Sequence, residues 1–238
     1  MKSASMVSLS QQQALRKQME VCSNNLVNGS TAGFQKEVLR TAEEPHKKRM
    51  THTLSLVKIL EVDRISNPGP LTKTGNPLDV ASPSHGYFSV QAPDSTAYSR
   101  SGQFTLNSDG QLATATGYPV LGDGSPIQVP VTAKEIHIDP QGNVYGDNER
   151  IGRITLSTFE NEKALQRIGD GLFIAEQAPQ AVETPNFQQG TIMGSNVNMI
   201  EESLHMIEIL RSYQASQELI DSENERRRNS IDRIVKVT

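Results

Sequence analysis

The chain contains no tryptophan, and aromatic residues make up only 5% of it. A single core for 238 residues would ordinarily carry more large side chains, so part of the apolar surface is expected to be buried only against partners. Cysteine is almost absent, and the lone Cys22 excludes an internal disulfide and any cysteine-based zinc site. Basic charge is not in excess. Lys and Arg total 23 against 27 Asp and Glu, giving a net charge of −4, which argues against general nucleic-acid binding. No apolar run approaches the length of a membrane-spanning helix. No apolar signal segment follows Met1-Lys2-Ser3-Ala4-Ser5-Met6-Val7.

Glycine and proline are missing from both ends. Between Ser8 and Val27 there is neither, and Leu15, Met19, Cys22 and Leu26 recur on one helical stripe with coiled-coil spacing. Asn28-Gly29-Ser30 and Gly33 then break the helix. At the other end, Asn198 is a good N-cap, with Glu201 three residues on as in a capping box. Ile200, Leu204, Ile207 and Leu210 form a second stripe, and no glycine or proline interrupts the run to Thr238. This stripe weakens after Gln214, across the charged Glu223 to Arg228, and resumes at Ile231 and Ile234. A helix with one apolar stripe gains its stability from packing, so each terminal helix needs a partner. The other terminus or another subunit can supply it. In a free monomer both helices are expected to be largely disordered, because ordering a residue costs about 1–2 kcal/mol.

All twelve prolines lie between Pro45 and Pro185. Short runs such as Tyr87-Phe88-Ser89-Val90, Gln103-Phe104-Thr105-Leu106 and Ile136-His137-Ile138 read as strands. Turns at Asn107-Ser108-Asp109-Gly110, Leu121-Gly122-Asp123-Gly124 and Pro140-Gln141-Gly142-Asn143 separate them. The expected fold is therefore α+β, with terminal helices forming a coiled-coil layer around a central all-β domain of short strands. The expected divisions are a helical segment 1–37, a linker or extended segment 38–70, a β domain 71–184, a return segment 185–197 and a helix 198–238.

Two catalytic patterns are matched only in part. Ser55-Leu56-Val57-Lys58 fits S-x-x-K and Lys73-Thr74-Gly75 fits K-T-G, but their order is wrong for a penicillin-binding enzyme and Gly110 stands where S-D-N needs asparagine. Ser55 also lies in a stretch that alternates like a strand. His46, His52, His85, His137 and His205 show no metal-ligand spacing. Asp139 to Asp147 lacks the alternating acids and closing glutamate of a calcium loop, so a β-turn is the better reading. Gly122-Asp123-Gly124 and Gly169-Asp170-Gly171 read as hairpin turns. Arg226-Arg227-Arg228 reads as a solvated helix face near a C-terminal dipole. No catalytic residue, metal site or cofactor is expected.

The residues Met19 to Asn28, with Asn24-Asn25-Leu26-Val27-Asn28 closed by Thr31-Ala32-Gly33-Phe34, resemble the N-terminal signature of flagellar basal-body rod and hook proteins. Gly69 to Ala81, Tyr98-Ser99-Arg100-Ser101-Gly102-Gln103-Phe104-Thr105-Leu106 and Gly117 to Gly122 look like that family's β domain. Gln189 to Asn198 is similar to its C-terminal box, which leads into Met206-Ile207. Size and the short β domain look most like the proximal rod proteins; the distal rod and hook-type proteins are the alternative within the family. The resemblance implies a non-enzymatic axial subunit of the periplasm-spanning rod that binds itself and other rod subunits. It implies passage through the flagellar type III export apparatus without a cleaved signal, and no nucleic-acid or small-molecule partner. The residues expected to make assembly contacts are Leu15, Met19, Cys22, Asn24, Asn25, Leu26 and Asn28 on the first helix. On the C-terminal side they are Ser195, Asn196, Asn198, Ile200, Leu204, Ile207 and Leu210. A glycan-binding or lytic envelope protein is the reading from another class; it needs paired carboxylates or exposed aromatics, whereas Asp79, Asp94 and Asp139 are scattered. An export chaperone would explain the helices but not the β insert.

Overall fold

A computed structural model describes residues 2–47, 53–93, 95–130, 132–133, 135–147 and 149–235. They fall into two compact units. The helical unit comprises Met1–Val27, Glu37–Ile65 and Asn198–Thr238, and the β unit comprises Asn28–Lys36 and Ser66–Val197. The fold class is α+β, with helices at both ends of the chain and many short antiparallel strands between them.

In the helical unit, α1 spans Lys2–Val27 and α2 spans Met199–Val235. Helix α2 opens at Asn198, whose side-chain oxygen accepts from the N–H groups of Ile200 at 3.1 Å and Glu201 at 3.4 Å. That is the geometry of an N-cap, which satisfies donors the first turn leaves unpaired. The two helices pack antiparallel. Ser216 Oγ donates to the Ser8 carbonyl, Gln12 meets Gln217, and Cys22 meets Glu202. The face of α2 withdrawn from solvent follows a strict heptad rhythm: Glu202, Met206, Ile209, Tyr213, Ser216, Ile220, Glu223 and Arg227 are all buried or half-buried. The side chains of Ile231 and Ile234 lie outside the described residues.

Residues 38–70, expected as a linker or extended segment, are mostly sheet. Strand β1 (Glu37–Lys47) pairs antiparallel with β2 (Thr53–Arg64), Glu37 opposite Arg64 and Lys47 opposite Thr53, with a bulge between Arg40 and Thr41. The physical reason is visible in Leu54, Leu56, Val57, Ile59, Leu60 and Val62, which are strand formers. Pro45 lies within β1, where a two-stranded ribbon has free edges on which a missing N–H costs nothing. Within the basic run His46-Lys47-Lys48-Arg49, His46 and Lys47 close β1, while Lys48 and Arg49 lie outside the described residues. Ser10 Oγ of α1 accepts from the Val57 N–H at 3.4 Å and so ties helix to hairpin.

The β unit is built on a six-stranded sheet with spatial order Gln166–Gly169, Leu172–Ile174, Thr96–Ser99, Tyr87–Gln91, Leu156–Thr158, Gln180–Ala181. Both faces of this sheet are covered. One face packs Phe88, Val90, Leu156 and Leu172 into a cluster with Phe104, Leu112, Val120, Val144, Ile154 and Phe187. The other packs Tyr87 and Tyr98 against Phe159, Leu165 and Phe173. The two Gly-Asp-Gly turns are hairpins, with Asp123 and Gly124 at φ 50° and 89° and Asp170 and Gly171 at 52° and 71°. Positive φ at both central residues is what a two-residue hairpin turn demands.

All six phenylalanines are buried and all lie in the β unit. Every phenylalanine thus serves the β unit. Gly102 marks how close its backbones run, since a Cβ there would sit 1.7 Å from the Val80 carbonyl oxygen. Gly102→Ala is expected to destabilise the β unit by about 2–4 kcal/mol, because neither backbone can yield. Urea unfolding followed by tyrosine fluorescence checks this, as a lower midpoint at unchanged slope.

Candidate assembly interface

The Asn-rich end of α1 organises the helical unit. Asn25 is completely buried. Its side-chain oxygen accepts from the Glu37 N–H at 2.9 Å, and its amide nitrogen donates to the Glu37 carbonyl at 2.8 Å. A primary amide carries both a donor and an acceptor, so Asn25 pairs with Glu37 as a neighbouring strand would. Its nitrogen also donates to Glu202 Oε1 at 2.9 Å, reaching α2. Glu202 is itself 3% exposed, and its carbonyl accepts from Cys22 Sγ at 3.2 Å. Asn24 donates to Glu37 Oε2 at 3.0 Å. One side chain thus joins α1, β1 and α2.

The β unit has its own asparagine tie. Asn196 Oδ1 accepts from the Lys36 N–H at 2.6 Å, and its amide donates to the Asn67 carbonyl at 2.9 Å. Ser195 Oγ accepts from the Val197 N–H, and Asn28 accepts from Thr31. Gly33 in the Thr-x-Gly-Phe element has φ 71°, and a Cβ there would lie 2.6 Å from the Arg100 carbonyl carbon and the Ser101 nitrogen. Only glycine fits that approach.

The expected stripes fare differently. On α1, Cys22 is buried, while Leu15, Met19 and Leu26 are half-buried and flank a seam made by Ala14, Val21, Cys22 and Asn25. Arg16, Met19, Glu20, Ser23, Asn24 and Val27 line an open groove on this helix. On α2, Ile200, Leu204, Ile207 and Leu210 do not face α1. They are 75%, 59%, 47% and 41% exposed, because the heptad through Glu202, Ile209 and Ser216 takes the inner face. Sequence reasoning missed Glu202 and Glu37. The seven-residue spacing of Glu202, Ile209 and Ser216 was the available signal, hidden because two of the three are polar. Among the described residues, every large apolar side chain classed as exposed lies in the helical unit except Leu71, Leu106 and Ile168.

Chemistry elsewhere is structural. Ser55 lies in strand β2, not at the start of a helix. Asp139 heads a turn: burial pushes its carboxyl up, but bonds from the Asn143 side chain, the Asn143 and Gln141 N–H groups and the Tyr145 hydroxyl hold it below the usual carboxylate range. Among the described residues no cluster of three or more His, Cys, Asp or Glu could hold a metal ion.

Two long terminal helices that flank a β insert, paired with each other yet leaving an apolar stripe uncovered, define a structural protein. The family model for the flagellar hook protein FlgE/F/G D1 domain matches residues 84–146, and that for the flagellar basal body rod FlgEFG protein C-terminal region matches residues 188–233. The chain is 34% identical to the flagellar basal-body rod protein FlgF of Caulobacter vibrioides, with all of both chains covered. It is 33% identical to FlgF of Salmonella typhimurium over 90% of this chain and 92% of the relative. It is 31% identical to FlgG of Agrobacterium fabrum over 87% and 90%. The chain belongs to the flagellar basal-body rod protein family, and within it to the FlgF type. It is a non-enzymatic structural subunit of the flagellar basal body that assembles with other rod subunits.

Replacing Asn25 by leucine deletes three of its buried hydrogen bonds, to the Glu37 N–H, the Glu37 C=O and Glu202 Oε1, and losing buried bonds of this kind costs about 1–3 kcal/mol each. Asn25→Leu is therefore expected to abolish amide protection in α1 and β1 while the β unit retains its near-ultraviolet dichroism. Hydrogen exchange by mass spectrometry reads both at once, and unchanged protection at 22–39 would sink the idea.

Proposed function

We propose that the helical unit is the polymerisation element, and that the stripe Ile200, Leu204, Ile207 and Leu210 is where neighbouring subunits dock. The observation that carries this reading is the exposure of all four on a helix whose opposite face is already taken. Leu9, Val27 and Leu219 add further uncovered apolar surface on the same helix pair. Each such side chain buried at an interface contributes about 1.5–3 kcal/mol. Contacts that join different faces of successive subunits build a helix when the rotation does not close. In that assembly Leu15, Met19, Leu26 and the groove beside them would face a neighbour, and Asn24, Asn25, Asn28, Ser195, Asn196 and Asn198 would hold the helices in register for it. The terminal helices would line a tube that passes later-exported subunits, and the β units would form its outer surface. The rod would transmit torque from the membrane motor to the hook. The chain itself would leave the cytoplasm through the flagellar type III export apparatus without a cleaved signal.

Leu204→Glu and Ile207→Glu are expected to leave the monomer's unfolding midpoint within about 0.5 kcal/mol of wild type, since both positions are solvent-facing. They should abolish rod assembly and motility. Normal motility with a normal basal body in the double variant would refute the docking stripe. The intramolecular seam also refines the expectation for the free monomer. Residues near the Asn25 junction should be protected from exchange, whereas residues 2–13 and 217–235 should exchange quickly until the chain assembles. Hydrogen exchange on monomer and on filament distinguishes the two regions.

A further inference from the structure

Arg100 is 4% exposed, yet neither of its terminal guanidinium nitrogens has a hydrogen-bond partner among the described residues. Gln35 is also 4% exposed, and its amide nitrogen is likewise unpartnered. The two residues are neighbours in the β unit. Gly33, two positions before Gln35, lies against the Arg100 backbone. Both side chains then converge on Tyr87. The Arg100 guanidinium carbon stands 5.5 Å from the Tyr87 ring centre, and the Tyr87 hydroxyl lies 3.3 Å from Gln35 Oε1. Ring stacking offsets part of the cost of burying the cation but leaves its N–H groups without acceptors. Three buried donors therefore gather around one tyrosine.

Glu162 Oε2 lies 3.2 Å from the Tyr87 hydroxyl, and it makes no hydrogen bond to the terminal nitrogens of Arg100. A water molecule can supply lone pairs to stranded donors, but it cannot balance the charge of a buried cation. The surroundings are closely packed, with Tyr87 wholly buried and Phe34 and Phe173 nearly so. Only an ion of one or a few atoms suits such a place. We propose that the Arg100–Gln35 cluster binds a small monovalent anion of chloride size, held by the two Arg100 nitrogens and the Gln35 amide. The bound ion would lock the Thr31–Gln35 segment onto the strand that carries Arg100.

The test is thermal unfolding of the full chain at constant ionic strength, with sodium gluconate exchanged for sodium chloride. Gluconate is too large to enter. The melting temperature should rise by roughly 3–6 °C once chloride reaches about ten times its dissociation constant. Gln35→Glu places a carboxylate beside the guanidinium. That variant should stay folded and lose the chloride dependence, and Arg100→Met should lose it too. If Arg100→Met does not fold, Gln35→Glu still decides the matter. Equal wild-type melting in the two salts would show that water alone satisfies the donors, and an unchanged chloride response in Gln35→Glu would place any bound ion elsewhere. Either result overturns the site, and neither depends on the assembly role of α2.

Discussion

The helical unit depends on a buried amide. Asn25 meets the backbone of Glu37 through both of its polar atoms and meets Glu202 through a third bond. An apolar side chain in its place could fill the space but could not tell one strand register from another. A wholly buried amide is tolerated only when its partners are in position, so it penalises every misaligned arrangement of α1, β1 and α2. The remaining contacts of the pair are undemanding by comparison. Ala14, Cys22 and Ser216 are small, and small residues permit close approach without fixing it.

The aromatic shortage follows from this division of labour. The β unit keeps every phenylalanine and buries both faces of its central sheet. The helical unit has none, and holds its parts together by amides, heptad packing and a hairpin with no third strand. Its apolar side chains are aliphatic and many are solvent-facing. A two-stranded ribbon and one helix pair sit at the low end of what stands alone in water. Stability that is incomplete within one chain leaves room for stability gained between chains.

Much of the architecture was legible in the residues. The α+β class, the breaks after Val27, the Asn198 cap and both Gly-Asp-Gly hairpins came from local chemistry, which sequence patterns report well. The strand character around Ser55 was legible in its alternation, but its pairing with β1 was not, because the register from Glu37–Arg64 to Lys47–Thr53 leaves no local mark in the sequence. The stripe on α2 was found, but its role as the inner seam would have been misassigned from hydropathy alone. Hydropathy ranks Ile200 and Leu204 above Glu202 and Ser216, whereas burial runs the other way. The polar residues win the inner face because they have partners there: Glu202 finds Asn25, and Ser216 finds the Ser8 carbonyl.

That inversion bears on how a subunit of this kind avoids trapping its own interface. If the most apolar stripe of α2 were also the one that packed against α1, folding the monomer would consume the surface needed for a neighbour. Interspersing Glu202 and Ser216 among Met206, Ile209 and Ile220 on the inner seam makes the intramolecular pairing specific without using the outer stripe. The strongly apolar stripe, on the far side of the helix, is left intact. Specificity and affinity then reside on different faces of the same helix: hydrogen bonds determine which segments pair within the chain, and aliphatic burial supplies the free energy when a second chain arrives.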